Sequence, residues 1–220
     1  MIKVLIADDH NLVRAGIRTL LERIDSVEVV GEAGNGLEAV ALAENLKPNI
    51  VVMDIEMPIL NGHEATVRIR ALNLNCAVII LSMHSEKMIV QRALAVGAIG
   101  YLLKTALQDE LPLAIRAAMN GQIYLSPAIA NIVLFDYLHN KGELKSTLTN
   151  PLDELTSRER QVLQLVAEGT TNKEVAQLLK IGERTVEKHR ANLMKKLDAH
   201  DLTSLVRIAI KYGLISLNNL

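Results

Sequence analysis

Aromatic side chains are nearly missing from this chain, with no tryptophan and one phenylalanine among 220 residues. That scarcity argues against single-stranded nucleic acid held on stacking platforms, which need exposed rings. Cysteine is scarcer than any disulfide framework requires, since Cys76 stands alone. A single thiol fits a reducing cytoplasm, and its place in an apolar run suits a core residue better than a nucleophile. No apolar stretch is long enough to cross a bilayer and no signal peptide opens the chain, so a cytoplasmic protein with no membrane partner is expected. A dominant charge of one sign is also lacking. The formal net charge is -1, yet residues 1–125 hold 11 basic and 14 acidic side chains while residues 151–220 hold 11 and 9. The asymmetry is mild and hints at different partners for the two halves.

What is present is organised around residues 50–62, IVVMDIEMPILNG. A short apolar run bounded by turn residues fits a strand buried on both faces, and here it ends in Asp54. Pro58 and Gly62 break the chain into a loop before the next helix. In an open α/β sheet, ligands bind outside the carboxyl ends of the strands. An isolated aspartate at such a place is often only a helix cap or a solvated loop residue. The rest of the first half supplies its company.

Apolar runs at 2–7, 27–30, 50–53, 76–82 and 99–103 read as strands. Between and after them come helical patterns near 12–21, 36–46, 64–72, 86–96 and 106–120. Five βα units predict an α/β fold, a five-stranded doubly wound parallel sheet with helices on both faces. The strands end at Asp8 and Asp9, at Asp54, at Ser82 and at Lys104. If these strands are neighbours, three carboxylates, a hydroxyl and an ammonium meet on one edge. Clustered carboxylates bind protons unless a cation joins them, and an oxygen-only acidic set suits Mg²⁺. One carboxylate can attack phosphorus, with Lys104 and the metal neutralising the transferred group.

Residues 1–124 resemble the receiver domain of bacterial two-component response regulators. The resemblance rests on Asp8-Asp9, on D-x-x-M-P-x-x-x-G from Asp54 to Gly62, on Leu81-Ser82 and on Tyr101-x-x-Lys104. It implies that Asp54 accepts a phosphoryl group from a phosphohistidine of a sensor histidine kinase. It also implies that Asp9 and Asp54 bind Mg²⁺ directly, Asp8 through water, and the Glu56 main-chain carbonyl completes the set. Ser82 would bind a phosphoryl oxygen, Tyr101 would change rotamer with the active state, and Glu56 and His84 sit where the family tunes dephosphorylation. The family often has Lys-Pro with a cis bond after the fifth strand. This chain has Lys104-Thr105, where a cis bond would cost roughly 2.5–4 kcal/mol.

Two other α/β readings fit less well. A dinucleotide fold needs G-x-G-x-x-G after its first strand, whereas Gly31, Gly34 and Gly36 have other spacing and lie later. A haloacid-dehalogenase-like phosphatase carries its aspartate pair near the start, not at Asp54-Ile55-Glu56.

Residues 125–152 read as a connection, helical at 127–138 and a polar tether at 139–150. Residues 153–220 then read as an all-α domain of four helices. Thr156 with Glu159, and Thr171 with Glu174, have capping-box spacing. Ile181-Gly182 reads as the tight turn between the second and third helices, a helix-turn-helix pattern. At 100° per residue, Val186, Leu193 and Leu197 fall on one side of the third helix. Arg184, Glu187, Lys188, Ala191 and Lys195 fall on the other, with Asn192 at the edge. Residues 183–196 hold five basic and two acidic side chains. Such a face suits the DNA major groove, with Lys188, Glu187 and Ala191 reading bases and Arg184 and Lys195 meeting phosphates. His189 lies near the buried edge, which favours packing or a phosphate contact. A solvated charged face is the bland alternative.

Residues 154–216 resemble the LuxR/NarL-type DNA-binding domain. The matching stretches are Leu155-Thr156-Ser157-Arg158-Glu159, Glu168-Gly169, Asn172-Lys173-Glu174-Val175-Ala176 and Thr185-Val186-Glu187-Lys188-His189. The resemblance adds Thr185 and Lys173 to the DNA-facing set and implies a homodimer, paired by the fourth helix, on a near-palindromic operator. The expectation is a response regulator acting as a transcription factor rather than a turnover enzyme. The alternatives are a phosphatase or phosphotransferase with a fused interaction domain, and a DNA-binding protein whose receiver only dimerises.

Overall fold

A computed structural model describes residues 1–139 and 151–215. The chain divides into two compact units, one ending at Gly142 and one beginning at Glu143. Beyond His139, the expected polar tether lies outside the described residues.

In the first unit, strands β1 (Ile2–Ala7), β2 (Val27–Ala33), β3 (Ile50–Asp54), β4 (Ala77–Ser82), β5 (Gly100–Leu103) and β6 (Tyr124–Leu125) form one sheet in the order β2-β1-β3-β4-β5-β6. Every pair is parallel. The intervening helices are α1 (Asn11–Leu21), α2 (Gly36–Leu46), α3 (Gly62–Ala71), α4 (Lys87–Ala95), α5 (Leu107–Met119) and α6 (Pro127–His139). Strand alternation sorts two cores. Val4, Ile6, Ile50, Val52, Ile79 and Leu81 face Ile17 and Leu21 of α1 and Leu111 and Ile115 of α5. Leu5, Val51, Met53, Val78 and Ile80 face Ala39, Ala65, Ile69 and Val90 of α2, α3 and α4. Both faces are covered, so the central strands are uninterrupted apolar runs.

Three differences from the sequence reading have physical causes. First, the sheet has six strands, not five. The sixth is two residues long, too short for any periodicity, and is held by bonds from Tyr124 N to Ile99 O and from Ser126 N to Tyr101 O, both 2.9 Å. Second, β2 runs three residues past its apolar stretch. A register shift opposite Val4 and Leu5 carries it on, and Glu32 is held there by Arg14 at 3.1 Å and Arg18 at 2.6 Å. The polar residue that disguises the strand is thus an edge residue with partners of its own. Third, α6 contributes Ile129, fully buried, to the core under α4, so the helical part of the expected connection packs on the sheet domain. Cys76 is buried, as a core residue should be, and burial pushes its thiol up to about 11. Among the described residues no peptide bond is cis, Lys104-Thr105 included; a short 3-10 turn, Lys104–Ala106, follows β5 instead.

The second unit contains α7 (Ser157–Ala167), α8 (Asn172–Leu179), α9 (Glu183–Lys196) and α10 (Leu202–Lys211). Both expected capping boxes are formed, Thr156 with Glu159 and Thr171 with Glu174. Val162, Leu163, Val166, Val175, Leu179, Val186, Leu193 and Leu205 build the core. The turn between α8 and α9 differs in detail from the sequence reading. Lys180, at φ 52°, takes the left-handed position, while Gly182 is the extended cap of α9. Among the described residues, no helix is long and apolar enough to cross a membrane.

Candidate functional site

Parallel pairing sets the site. β1 lies between β2 and β3, so connections leave it in opposite directions, and a crevice opens at the carboxyl ends there. Asp54 ends β3, Ser82 ends β4, Lys104 follows β5, and Asp8 and Asp9 follow β1. Asp54 pairs in register with Leu81, next to Ser82. Four strands thus deliver their terminal side chains to one edge.

Lys104 Nζ donates to Asp8 Oδ2 and to Asp54 Oδ2, each at 2.8 Å. Asp8 is fully buried and Asp54 nearly so. Burial pushes the Asp54 carboxyl up to about 7; the Lys104 ammonium opposes the rise and the Asp8 carboxylate adds to it. The Glu56 main-chain N–H also donates to Asp54. Burial lowers the Lys104 amine, but the two carboxylates outweigh it and hold the group above its usual range.

A divalent cation fits this pocket. Asp8, Asp9, His10 and Asp54 each offer one ligand atom, and these atoms lie within 4.8 Å of one another. Asp9 Oδ1 is buried and makes no hydrogen bond. His10 was not singled out from sequence. It caps α1, its amide donates to Asp8 Oδ1 at 2.8 Å, and its Nδ1 lies 2.7 Å from Asp9 Oδ1. The signal was its place directly after the acidic pair.

Ser82 and Tyr101 converge on one residue. The Ser82 hydroxyl accepts from the His84 amide at 3.0 Å, and the buried Tyr101 hydroxyl donates to the His84 carbonyl at 2.9 Å. The His84 ring in turn meets Glu56 at 2.8 Å.

The loop from Asp54 to α3 is shaped by backbone contacts. Gly62 is the first residue of α3 rather than a loop residue, and Asn61 caps the helix by accepting from Glu64 N. A Cβ on Gly62 would stand 2.0 Å from the Asp54 carbonyl oxygen, so only glycine lets α3 start this close to Asp54. Within the loop, Leu60 N bonds Pro58 O at 2.7 Å across Ile59, whose φ is 69°. A β-branched residue in that region costs about 1–3 kcal/mol, held by the surrounding structure.

In the second unit, Arg184, Thr185, Glu187, Lys188, Ala191, Asn192 and Lys195 are exposed on α9 and Lys173 on α8, while His189 is half-buried. Two basic residues of α9 are engaged inside the domain. Arg190 donates to Asn172 of α8 at 2.6 Å, and Lys196 meets Glu159 of α7 at 2.7 Å. These ties orient α9 while its other face remains open.

Residues 4–116 match the response regulator receiver domain, and residues 153–209 match the bacterial regulatory proteins of the luxR family. The transcriptional regulatory protein LiaR of Bacillus subtilis is 39% identical over 216 residues, covering 98% of this chain and 100% of that protein. The response regulator UvrY of Escherichia coli K12 is 35% identical over 221 residues, covering 100% of this chain and 99% of that protein. The Salmonella typhimurium RcsB response regulator has a solved structure with TM-score 0.58 and 26% identity over 94% of this chain and 96% of that chain. RcsB has also been solved as dimers bound to DNA, with TM-score 0.59 and 25% identity over 96% of this chain and 98% of that chain.

Fold and site together define a receiver domain joined to a luxR-type helical domain. The chain belongs to the response regulators of the NarL/LuxR family, transcription factors built from those two parts.

Proposed function

We propose that this response regulator accepts a phosphoryl group on Asp54 from a phosphohistidine of a sensor histidine kinase, in a Mg²⁺-dependent reaction, and thereby shifts toward a dimeric, DNA-binding form. The observation that carries this reading is the bridge from Lys104 to Asp8 and Asp54 at 2.8 Å on the carboxyl edge of the sheet. An Asp54 oxygen would form the new bond to phosphorus as the bond to the imidazole nitrogen breaks. The Lys104 ammonium then has two jobs, holding Asp54 in place and neutralising oxygens of the transferred group. Ser82 would donate to another of those oxygens. Asp8, Asp9, Asp54 and the Glu56 main-chain carbonyl would hold Mg²⁺, whose chemistry is charge neutralisation of the phosphoryl group. The chain would phosphorylate and dephosphorylate itself without turning over an external substrate.

Ser82 and Tyr101 both hold His84 and also hydrogen-bond each other, so a change at Ser82 reaches Tyr101 directly as well as through His84. The phosphoryl group would thus bias a pre-existing equilibrium between two receiver forms. On the output side, the exposed face of α9 would enter the major groove, with Arg184, Thr185, Glu187, Lys188, His189, Ala191, Asn192 and Lys195 toward DNA and Lys173 on the backbone. RcsB dimers on DNA support a homodimer on a near-palindromic operator. The expected place of action is the cytoplasm.

The test is intact mass after incubation with Mg²⁺ and a small acyl-phosphate donor, alongside Asp54→Asn. One phosphoryl adduct on the wild type, absent from the variant and lost with time, is expected. It should be accompanied by tighter binding to operator DNA. Equal operator affinity with and without the adduct would defeat the regulatory part of the reading.

A further inference from the structure

The acidic pocket is not made of oxygen alone. His10 Nδ1 lies 2.7 Å from Asp9 Oδ1 and 3.7 Å from Asp8 Oδ1, on a residue whose amide is pinned to Asp8 Oδ1 at 2.8 Å. Its ligand atom belongs to the same group as those of Asp8, Asp9 and Asp54, all within 4.8 Å of one another. The Asp9 Oδ1 atom is itself buried, and His10 Nδ1 is the nitrogen beside it. Their 2.7 Å separation is near the span of adjacent ligands on one small six-coordinate cation, about 2.8–3.0 Å for bonds near 2.1 Å.

The donor set decides which cations it favours. Mg²⁺ takes oxygen and gains little from an imidazole, whereas Mn²⁺, Co²⁺, Ni²⁺ and Zn²⁺ accept carboxylate and imidazole together, with affinity rising from Mn²⁺ through Co²⁺ to Ni²⁺. Lys104 engages the Oδ2 atoms of Asp8 and Asp54. The amide bond from His10 to Asp8 and the capping position at the start of α1 hold the His10 backbone against the carboxylates.

We infer that His10 Nδ1 is a ligand in this pocket for first-row transition ions, which makes the phosphoacceptor site a mixed oxygen–nitrogen site where such ions compete with Mg²⁺. This rests on the pocket being the cation site proposed above. A receiver so equipped responds to the balance of available divalent metals, because these ions carry the same charge but differ in the ligand geometry and Lewis acidity they bring beside Asp54.

The experiment uses the full chain. Mn²⁺ is bound to wild type and to His10→Ala, and pulsed electron paramagnetic resonance reads nitrogen coupling at the ion. Calorimetric titrations with Ni²⁺ and Mg²⁺ give the ratio of the two affinities. Nitrogen coupling in the wild type that disappears in His10→Ala is expected, with the Ni²⁺-to-Mg²⁺ ratio falling about tenfold. Coupling that persists in the variant, or an unchanged ratio with Mg²⁺ still bound, overturns the inference and leaves the phosphoacceptor reading intact. A wild type that binds neither Mg²⁺ nor Ni²⁺, with Asp54→Asn behaving identically, defeats both. His10→Gln, which keeps a polar side chain of similar reach at the first position before α1, separates loss of the imidazole from loss of bulk there.

Discussion

The Glu56 carboxylate and the His84 imidazole meet at 2.8 Å, joining the loop that follows Asp54 to the loop that follows Ser82. Glu86 adds a second carboxylate 3.4 Å from the other ring nitrogen. Sequence placed Glu56 and His84 separately, each two residues past a site residue; the structure makes them partners. A pair bridging both sides of Asp54, the proposed acceptor, should limit water's approach to a phosphoryl group there. His84→Ala and Glu56→Ala should therefore each shorten the phosphoryl lifetime, and the double variant should behave like either single one. Decay of the adduct mass with time checks this, and additive effects would count against a shared role.

Lys104 is the shared cation of two buried carboxylates. Lys104→Met leaves them facing one another and should cost up to about 3–5 kcal/mol near neutral pH. The loss should shrink on acidification, because Asp54 takes up a proton readily. Saturating Mg²⁺ should restore part of it. Urea unfolding followed by circular dichroism, with and without Mg²⁺, measures all three effects; the chain has no tryptophan to report by fluorescence.

Gly62 has backbone within 3.0 Å of any added Cβ, from Asp54 and from Ile55. No flexible side chain can give way there. Gly62→Ala should destabilise the first unit by about 1–3 kcal/mol. It should also slow phosphoryl acceptance by about 100-fold, because the displaced residue is Asp54, the proposed acceptor. The rate of adduct formation by mass, compared with thermal midpoint, separates the two consequences.

His63 is buried in α3 with an unpartnered Nδ1, and burial together with nearby Arg92 lowers its pKa from 6.5 to about 3. The unfolded chain takes the proton near 6.5 and the folded chain does not, so stability falls as pH drops through that window. The slope from this group is at most about 1.4 kcal/mol per pH unit. Asp54 acts the other way. Its folded value, about 7, lies above the ordinary 3.8, so its contribution is lost as pH rises. Comparing wild type with His63→Gln across this range isolates the histidine, and the variant should show the flatter acid limb.

Lys188 and Lys195 are both exposed on α9 and should behave differently on DNA. Lys188→Ala should relax preference at one base position by about 1–3 kcal/mol, whereas Lys195→Ala should weaken cognate and random DNA alike and lower the salt slope by about one. Binding measured on both sequences at several salt concentrations distinguishes base reading from phosphate contact.

Much of this was legible in the chain itself because it is local. Short apolar runs bounded by turn residues favour strands, and 3.6-residue spacing favours helix faces, from local pattern. The capping boxes at Thr156 and Thr171, and the inward set Val186, Leu193 and Leu197, follow from spacing alone. So does the clustering of functional side chains at strand ends, because five parallel strands must all finish on one edge.

Tertiary structure decided what depends on neighbours distant in sequence. The polar end of β2 is a strand because Arg14 and Arg18 meet Glu32, and two residues form β6 because β5 offers an open edge. The requirement for Gly62 comes from the Asp54 carbonyl beside it, and Glu56 finds His84 because β3 and β4 pair in one particular register. Lys104 reaches Asp8 across 96 residues, and His10 joins the pocket through the turn that follows β1. Local propensity can name the residues that a site needs, but parallel pairing and close packing choose which atoms meet and at what distance.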